Sequence, residues 1–248
     1  LRAKDGTVLH GSLLKPKSFD PARRYPVIVS VYGGPHAQSV QNAWGLVSPF
    51  QHLLVSHGFL VFSLDNRGTA NRGHAFESPI FHDLGRVELE DQLTGVDYLK
   101  TLPFVDASRL GIWGWSYGGY MTLYALTHAP GVFRAGVAGA PVADWKLYDT
   151  IYTERYMGTP ASNPRGYGTS SPLAAAAALQ GELLIIHGTS DDNVHLANTL
   201  SFADALVHAG KAHSLNLHPR QMHGFRDVAN RIARDQEVLR HFETYLKP

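Results

Sequence analysis

Leu110-Gly111-Ile112-Trp113-Gly114-Trp115-Ser116-Tyr117-Gly118-Gly119-Tyr120 is the stretch that decides the fold. Leu110–Trp113 is a short apolar run of strand character, and a helical pattern opens just after it. Ser116, centre of the pentapeptide Gly114-Trp115-Ser116-Tyr117-Gly118, therefore falls on the turn between a strand and a helix. A sharp strand-to-helix turn lifts a serine hydroxyl above the sheet, and flanking glycines let neighbouring backbone pass close to it. A lone G-x-S-x-G is moderately specific, because Gly-Ser-Gly loops are common. The rest of the chain has to supply what a serine nucleophile needs.

Composition narrows the field. The 248 residues suit one large domain or two small ones. Hydrophobic residues at 44% and charged residues at 17% allow a sizeable core and argue against disorder. A net charge of +1 gives no electrostatic case for nucleic acid or an anionic membrane. No apolar run approaches the roughly 18 residues of a spanning helix. With no cysteine, disulfides and thiolate metal sites are excluded. Cysteine absence leaves the compartment open, so an exported or periplasmic location and a cytoplasmic one in a bacterium both stand.

Working outward, short β-branched runs alternate with helical patterns. Strands are predicted at Val27–Tyr32, Leu60–Asp65, Leu110–Trp115, Ala135–Ala140, Leu183–His187 and Ser214–His218. Helical stripes are predicted through Leu89, Leu93, Val96 and Leu99, and through Leu196, Leu200, Ala203 and Val207. A last stripe runs through Val228, Ile232, Leu239, Phe242 and Leu246. This alternation implies an α/β fold of α/β-hydrolase type, with a mostly parallel central sheet and helices on both faces. The segment Trp145–Tyr167 reads as a helical insertion above the sheet, where such enzymes build pockets.

A serine hydroxyl needs a base, and a histidine oriented by a carboxylate is the usual one. In this fold the chain order is Ser, then Asp or Glu, then His. Leu183–His187 is followed by Gly188-Thr189-Ser190-Asp191-Asp192-Asn193, so Asp191 and Asp192 compete for the orienting role. Position alone barely separates them, and a helix cap is the alternative job for the other. Ser214–His218 is followed by a loop carrying His223, with His218 as its rival. The other histidines read as surface or locally bonded groups. An oxyanion site needs two donors. The Tyr117 N–H is one, and the Tyr32 hydroxyl, in Val31-Tyr32-Gly33-Gly34-Pro35, is the candidate for the other. The alternative for Tyr32 is a core aromatic at a strand end. Asp65-Asn66-Arg67-Gly68 reads as a structural turn or ion pair. Glu88, Glu90 and Asp91 read as a polar helix face with one buried pairing. The spacing of His213, His218 and His223 matches no metal motif, and the chemistry calls for no metal or cofactor.

Taken together, the chain resembles the catalytic domain of the prolyl oligopeptidase family, in its dipeptidyl peptidase IV branch. The resemblance rests on Val31–Pro35, Asp65–Gly68, Gly114–Tyr120, Tyr152-Thr153-Glu154-Arg155-Tyr156-Met157, His187–His195 and His223-Gly224, in that order. It implies a triad of Ser116, Asp191 and His223, and an oxyanion hole of Tyr32 and Tyr117. It further implies a pocket lined by Tyr117, Val142, Trp145, Tyr148, Tyr152 and Val194, with Asn193 donating to a substrate carbonyl. For Trp145–Tyr156 a core-packing helix is the plainer alternative. The implied activity is a serine peptidase cleaving after proline, less well after alanine, and releasing N-terminal dipeptides from a peptide substrate. An oligopeptidase or acyl-peptide hydrolase of the same family is the alternative, ahead of a carboxylesterase or a non-catalytic dimerisation or binding domain.

In family members that remove dipeptides, acidic residues on an N-terminal β-propeller grip the substrate amine. The resemblance thus implies that residues 1–248 form one catalytic domain, carboxyl-terminal in a longer homodimeric protein and weakly active by itself.

Overall fold

The computed structural model describes residues 1–43, 45 and 47–247. Seven strands form one sheet: β1 His10–Leu14, β2 Tyr25–Ser30, β3 Leu60–Asp65, β4 Val105–Trp115, β5 Ala135–Gly139, β6 Glu182–Gly188 and β7 Ser214–His218. Their spatial order is β1-β3-β2-β4-β5-β6-β7. Only β1 runs antiparallel, pairing His10 with Asp65 and Leu14 with Val61. The six predicted strands are all present. The sequence reading missed β1, an edge strand with a largely exposed face and no β-branched residue.

Period-two alternation divides the sheet's side chains between two cores. Val27, Val29, Phe62, Leu64 and Ile185 enter one core, with the helices Arg86–Thr101, Tyr117–His128 and Ala197–His208. Ile28, Val61, Leu184 and Ile186 enter the other, with the helices Pro49–Ser56 and Val228–Leu246. Two predicted stripes need correction. In the Ala197–His208 helix, Phe202 and Leu206 are buried, whereas Leu200 and Val207 are exposed. Here tertiary packing, not the run of leucines and valines, selects the face. In Val228–Leu246, Leu239, Phe242 and Leu246 pack on the sheet while Val228 and Ile232 project into solvent.

The buried pairing predicted among Glu88, Glu90 and Asp91 is present at Asp91, but the face around it is more buried than predicted. Glu88, Asp91 and Gln92 are fully buried, and only Glu90 is partly exposed. Asp91 takes the Arg67 guanidinium at 2.7 and 3.0 Å and the Arg67 backbone N–H at 2.8 Å. Gln92 donates to Asn66 Oδ1 at 2.9 Å, and Asn66 Nδ2 donates to the Gly33 carbonyl at 2.9 Å. Asp65 accepts the backbone N–H groups of Ser39 and Val40 at 2.8 and 2.9 Å. The Asp65–Gly68 turn thus anchors the loop that follows β2.

Removing one partner from a buried ion pair leaves an uncompensated charge. Asp91→Ala is expected to destabilise the protein by about 3–5 kcal/mol. Urea unfolding would read this as a lower midpoint at unchanged slope. A midpoint equal to the unsubstituted protein's would show that the pair is dispensable.

Candidate active site

Ser116 sits between β4 and the Tyr117–His128 helix with φ 61° and ψ −117°, a left-handed conformation costly for a residue with a side chain. Crowding makes glycine obligatory around it. A Cβ on Gly118 would run into the Val31 carbonyl oxygen, and one on Gly114 into Gly118. Close passage of β2 and β4 therefore depends on both glycines of the pentapeptide.

The strained turn carries the Ser116 hydroxyl to 2.9 Å from His223 Nε2. His223 Nδ1 lies 2.8 Å from Asp191 Oδ2. A carboxylate only accepts, so Nδ1 carries the proton and the Nε2 lone pair faces the serine hydroxyl. The predicted trio is therefore continuous through hydrogen bonds. Such an arrangement can remove the serine proton as the oxygen attacks a carbonyl, and can hold the resulting imidazolium against a negative charge.

The rivals point elsewhere. His218 bonds Asn230 Oδ1 at 2.9 Å and Glu237 Oε2 at 3.1 Å, toward the last helix. Asp192 is exposed, and the Ala197–His208 helix has Leu196 at its N-cap position, with no side-chain cap.

Asp191 is held by four donors. Its side chain is fully buried, with Oδ1 accepting the Asn193 and Val194 N–H groups at 3.0 and 2.9 Å. Oδ2 faces both His223 and His187, the latter at 3.2 Å. Burial would raise its carboxyl, but the bonds from His187, His223 and Asn193 outweigh burial and hold it well below the usual carboxylate range.

His187 is a member of this network that the sequence reading passed over. Its Nε2 faces only acceptors, Asp191 Oδ2 and the Val194 carbonyl at 2.9 Å, so that nitrogen must carry a proton. Its Nδ1 lies 2.7 Å from the Thr199 hydroxyl. Strand alternation was the available signal. His187 is two residues beyond core-facing Ile185, and a core-facing histidine needs partners.

The helix after the serine leaves its first N–H groups without intrahelical partners. Tyr117 is the first residue of that helix, so its N–H is available beside Ser116. Tyr32 lies two residues beyond β2, with its Cα packed against Gly118 and its ring centroid 6.0 Å from that of Tyr117. Burial, and then neighbouring Tyr156, raise the Tyr32 hydroxyl above its ordinary value, so it stays protonated and able to donate at neutral pH.

The predicted pocket residues form a contiguous aromatic cluster. Ring centroids are 5.4 Å apart for Tyr117–Trp145, 6.1 Å for Trp145–Tyr152 and 5.3 Å for Tyr148–Tyr152. Val142 and Val194 are buried in the same core. Tyr148 donates to Asn193 Oδ1 at 2.6 Å, which leaves the Asn193 amide hydrogens as its outward group. Beyond them opens a cleft of about 1030 Å³, lined by Tyr148, Asn193, His195, His223 and Phe225 among others, whereas Tyr117, Val142, Trp145 and Val194 are buried and do not line it. Trp115 supports the histidine loop from below. Its Nε1 donates to the His223 carbonyl at 2.9 Å, and its ring meets Phe225 edge-on at 5.2 Å.

Comparison with known proteins shows the family and the fold. The prolyl oligopeptidase family profile matches residues 47–248. Dipeptidyl peptidase 8 of Homo sapiens is 42% identical over 226 residues, which is 89% of this chain and 25% of that protein. The crystal structure of Porphyromonas gingivalis dipeptidyl peptidase 4 superposes with a TM-score of 0.94 at 41% identity, covering 99% of this chain and 35% of that one. A Bacteroides ovatus structure gives a TM-score of 0.96 at 45% identity over 99% of this chain and 35% of that one. This chain thus spans about a quarter to a third of the length of the relatives it matches.

The Asp191 network carries a pH dependence whose sign is fixed. A carboxyl depressed on folding adds stability above its unfolded value, and that stability is lost as pH falls through the folded one. Unfolding free energy is expected to fall as pH drops below about 4, the ordinary aspartate range. In Asp191→Asn the fall should be shallower. An identical pH slope in the variant would remove Asp191 as its source.

Proposed function

The chain belongs to the prolyl oligopeptidase family, and from that premise we propose that it is a serine peptidase cleaving after proline, and less well after alanine. In the full-length protein it releases N-terminal dipeptides. The observation that carries this reading is the unbroken run Ser116–His223–Asp191 at 2.9 and 2.8 Å.

Ser116 attacks the scissile carbonyl carbon while His223 takes its proton, giving a tetrahedral intermediate. Collapse breaks the C–N bond, and His223 passes that proton to the leaving amine. Water then enters by the same route and releases the acyl group from Ser116. The negative oxygen of each intermediate accepts from the Tyr117 N–H and the Tyr32 hydroxyl.

The aromatic slot of Tyr117, Trp145, Tyr148 and Tyr152, with Val142 and Val194, takes the flat pyrrolidine ring. Asn193 donates its outward amide to the substrate's preceding carbonyl. Proline buries about two more methylenes than alanine at about 0.8 kcal/mol each, a preference on the order of tenfold. The group that holds the substrate's free amine is assigned to a part of the protein outside this chain. Homodimerisation is likewise assigned to the full-length protein, and sedimentation at monomer mass would exclude it.

Ser116→Ala is expected to lower turnover of a dipeptidyl-proline anilide by the full-length protein by about 10⁴–10⁶-fold and to abolish fluorophosphonate labelling. Retained turnover would end the assignment. Tyr32→Phe should cost about 10²–10³-fold if its hydroxyl binds the oxyanion. A loss under about threefold would return Tyr32 to a packing role. Faster cleavage of an N-blocked proline substrate than of its free-amine counterpart would favour an oligopeptidase.

A further inference from the structure

Glu88 is a fully buried carboxyl with no cation paired to it among the described residues. It lies on the first turn of the Arg86–Thr101 helix and makes two side-chain bonds. One oxygen accepts the Gly85 N–H at 2.9 Å, which caps the helix. The other accepts the Tyr117 hydroxyl at 2.6 Å.

A cap alone does not require a buried acid, because glutamine caps a helix as well and avoids burying a charge. The second bond is therefore the informative one. Tyr117 is the residue on which two parts of the site meet: its N–H stands beside Ser116, and its buried ring packs on Trp145 in the slot proposed above. That ring has little room. A Cβ on Gly34 would come within 2.6 Å of it, and Tyr120 and Trp145 close it in at centroid distances of 5.2 and 5.4 Å. Its hydroxyl, buried among aromatic rings, finds its acceptor in Glu88.

We propose that Glu88 is a positioning residue for P1 selectivity: it clamps the Tyr117 ring as the wall against which the pyrrolidine packs. This rests on the proline-peptidase reading above. A ring free to tilt loosens the slot most for the residue that fills it, so proline suffers more than alanine. Site geometry off by about 1 Å can cost about 100-fold in rate.

Glu88 also couples the wall to pH. Burial raises its carboxyl to about 7, against the opposing bonds from Tyr117 and Gly85. The titratable groups that face it are Tyr117, Tyr120, Tyr124, Tyr152 and Asp83. Burial, and then Glu88 itself, keep Tyr117 protonated. Below pH 7 the carboxyl gains its proton and gives up part of its hold on the two donors.

The test compares Glu88→Leu, Glu88→Gln, Tyr117→Phe and the Glu88→Leu/Tyr117→Phe pair in the full-length protein, with proline and alanine anilides. Glu88→Leu is expected to reduce the roughly tenfold proline-over-alanine ratio in kcat/KM to about threefold or less. In the Tyr117→Phe background the same change should leave the ratio within about twofold, as two groups acting through one contact require. Glu88→Gln, whose oxygen can accept the Gly85 N–H while its amide donates to the Tyr117 hydroxyl oxygen, should restore the ratio and remove one ionisation near pH 7 from the acidic limb of kcat/KM.

An unchanged ratio in Glu88→Leu, or an equal fall in both backgrounds, would overturn the proposal. If Glu88→Leu does not fold, Tyr117→Phe decides, because it removes the same bond: a proline-over-alanine ratio equal to the native protein's refutes the clamp. Fluorophosphonate labelling of Ser116 separates the two readings. Labelled Glu88→Leu with unchanged selectivity refutes the clamp alone, whereas unlabelled native protein refutes the peptidase reading.

Discussion

The left-handed turn at Ser116 is the constraint from which the rest of the architecture follows. A serine at φ 61° is unfavourable and persists only if its surroundings over-determine it. Here they do so by exclusion. The backbone just after β2 presses on Gly118 through the Val31 carbonyl, and Gly119 is pressed by the Gly139 carbonyl and Pro141 from the β5 side. The turn is wedged between two neighbouring strands of a parallel sheet, with no space into which to relax. The hydroxyl is therefore aimed by backbone packing, and its rotamer alone is left for His223 to set.

That arrangement moves the demand for order to the loops. His223 comes from a loop after β7, and loops are where positions drift. Two bonds restrain it from opposite sides: Trp115 holds its carbonyl and Asp191 holds its ring. Trp115 belongs to the same pentapeptide as the serine. One short stretch of sequence thus positions the hydroxyl and also part of the support for its partner. Asp191 in turn is fixed by two backbone donors and by His187, whose own tautomer is dictated by the acceptors around it.

Legibility in the sequence follows the range of the forces. The strand-turn-helix at Ser116 is local, written in glycine spacing and apolar runs, and was readable. The order of Asp191 and His223 follows from topology, so a strand-and-loop census located their loops. Choosing Asp191 over Asp192 lay beyond pattern, because it turns on which carboxylate meets four donors in three dimensions; family resemblance had to supply it. Periodicity misplaced the buried face of the Ala197–His208 helix. Leu200 and Val207 look like core residues, yet the helix turns Thr199 toward His187 and buries Phe202 and Leu206. At Glu88, Glu90 and Asp91 one buried pairing was foreseen, but the burial of Glu88 was not, because hydrophobic periodicity has no sign for a polar group buried because it is bonded.

That buried polar face shows how the separate parts keep one geometry. Glu88, Asp91 and Gln92 stand at i, i+3 and i+4, which brings them onto one side of a helix within a single turn. Each reaches a different part of the site. Glu88 bonds the Tyr117 ring, Asp91 the Arg67 turn, and Gln92 the Asn66 side chain that holds Gly33 beside Tyr32. Both residues of the candidate oxyanion site, Tyr117 from the helix after β4 and Tyr32 from the loop after β2, are thereby referred to one rigid rod. A helix turn is a stiffer spacer than any loop, and precision in a site comes from the elements behind it. Burying three polar side chains is costly unless they are bonded, and here each makes at least two bonds, with Gln92 Oε1 alone left without a partner. A face of leucines could pack as well, but it could not fix direction. Hydrogen bonds supply direction, which a pair of candidate oxyanion donors needs more than a hydrophobic core does.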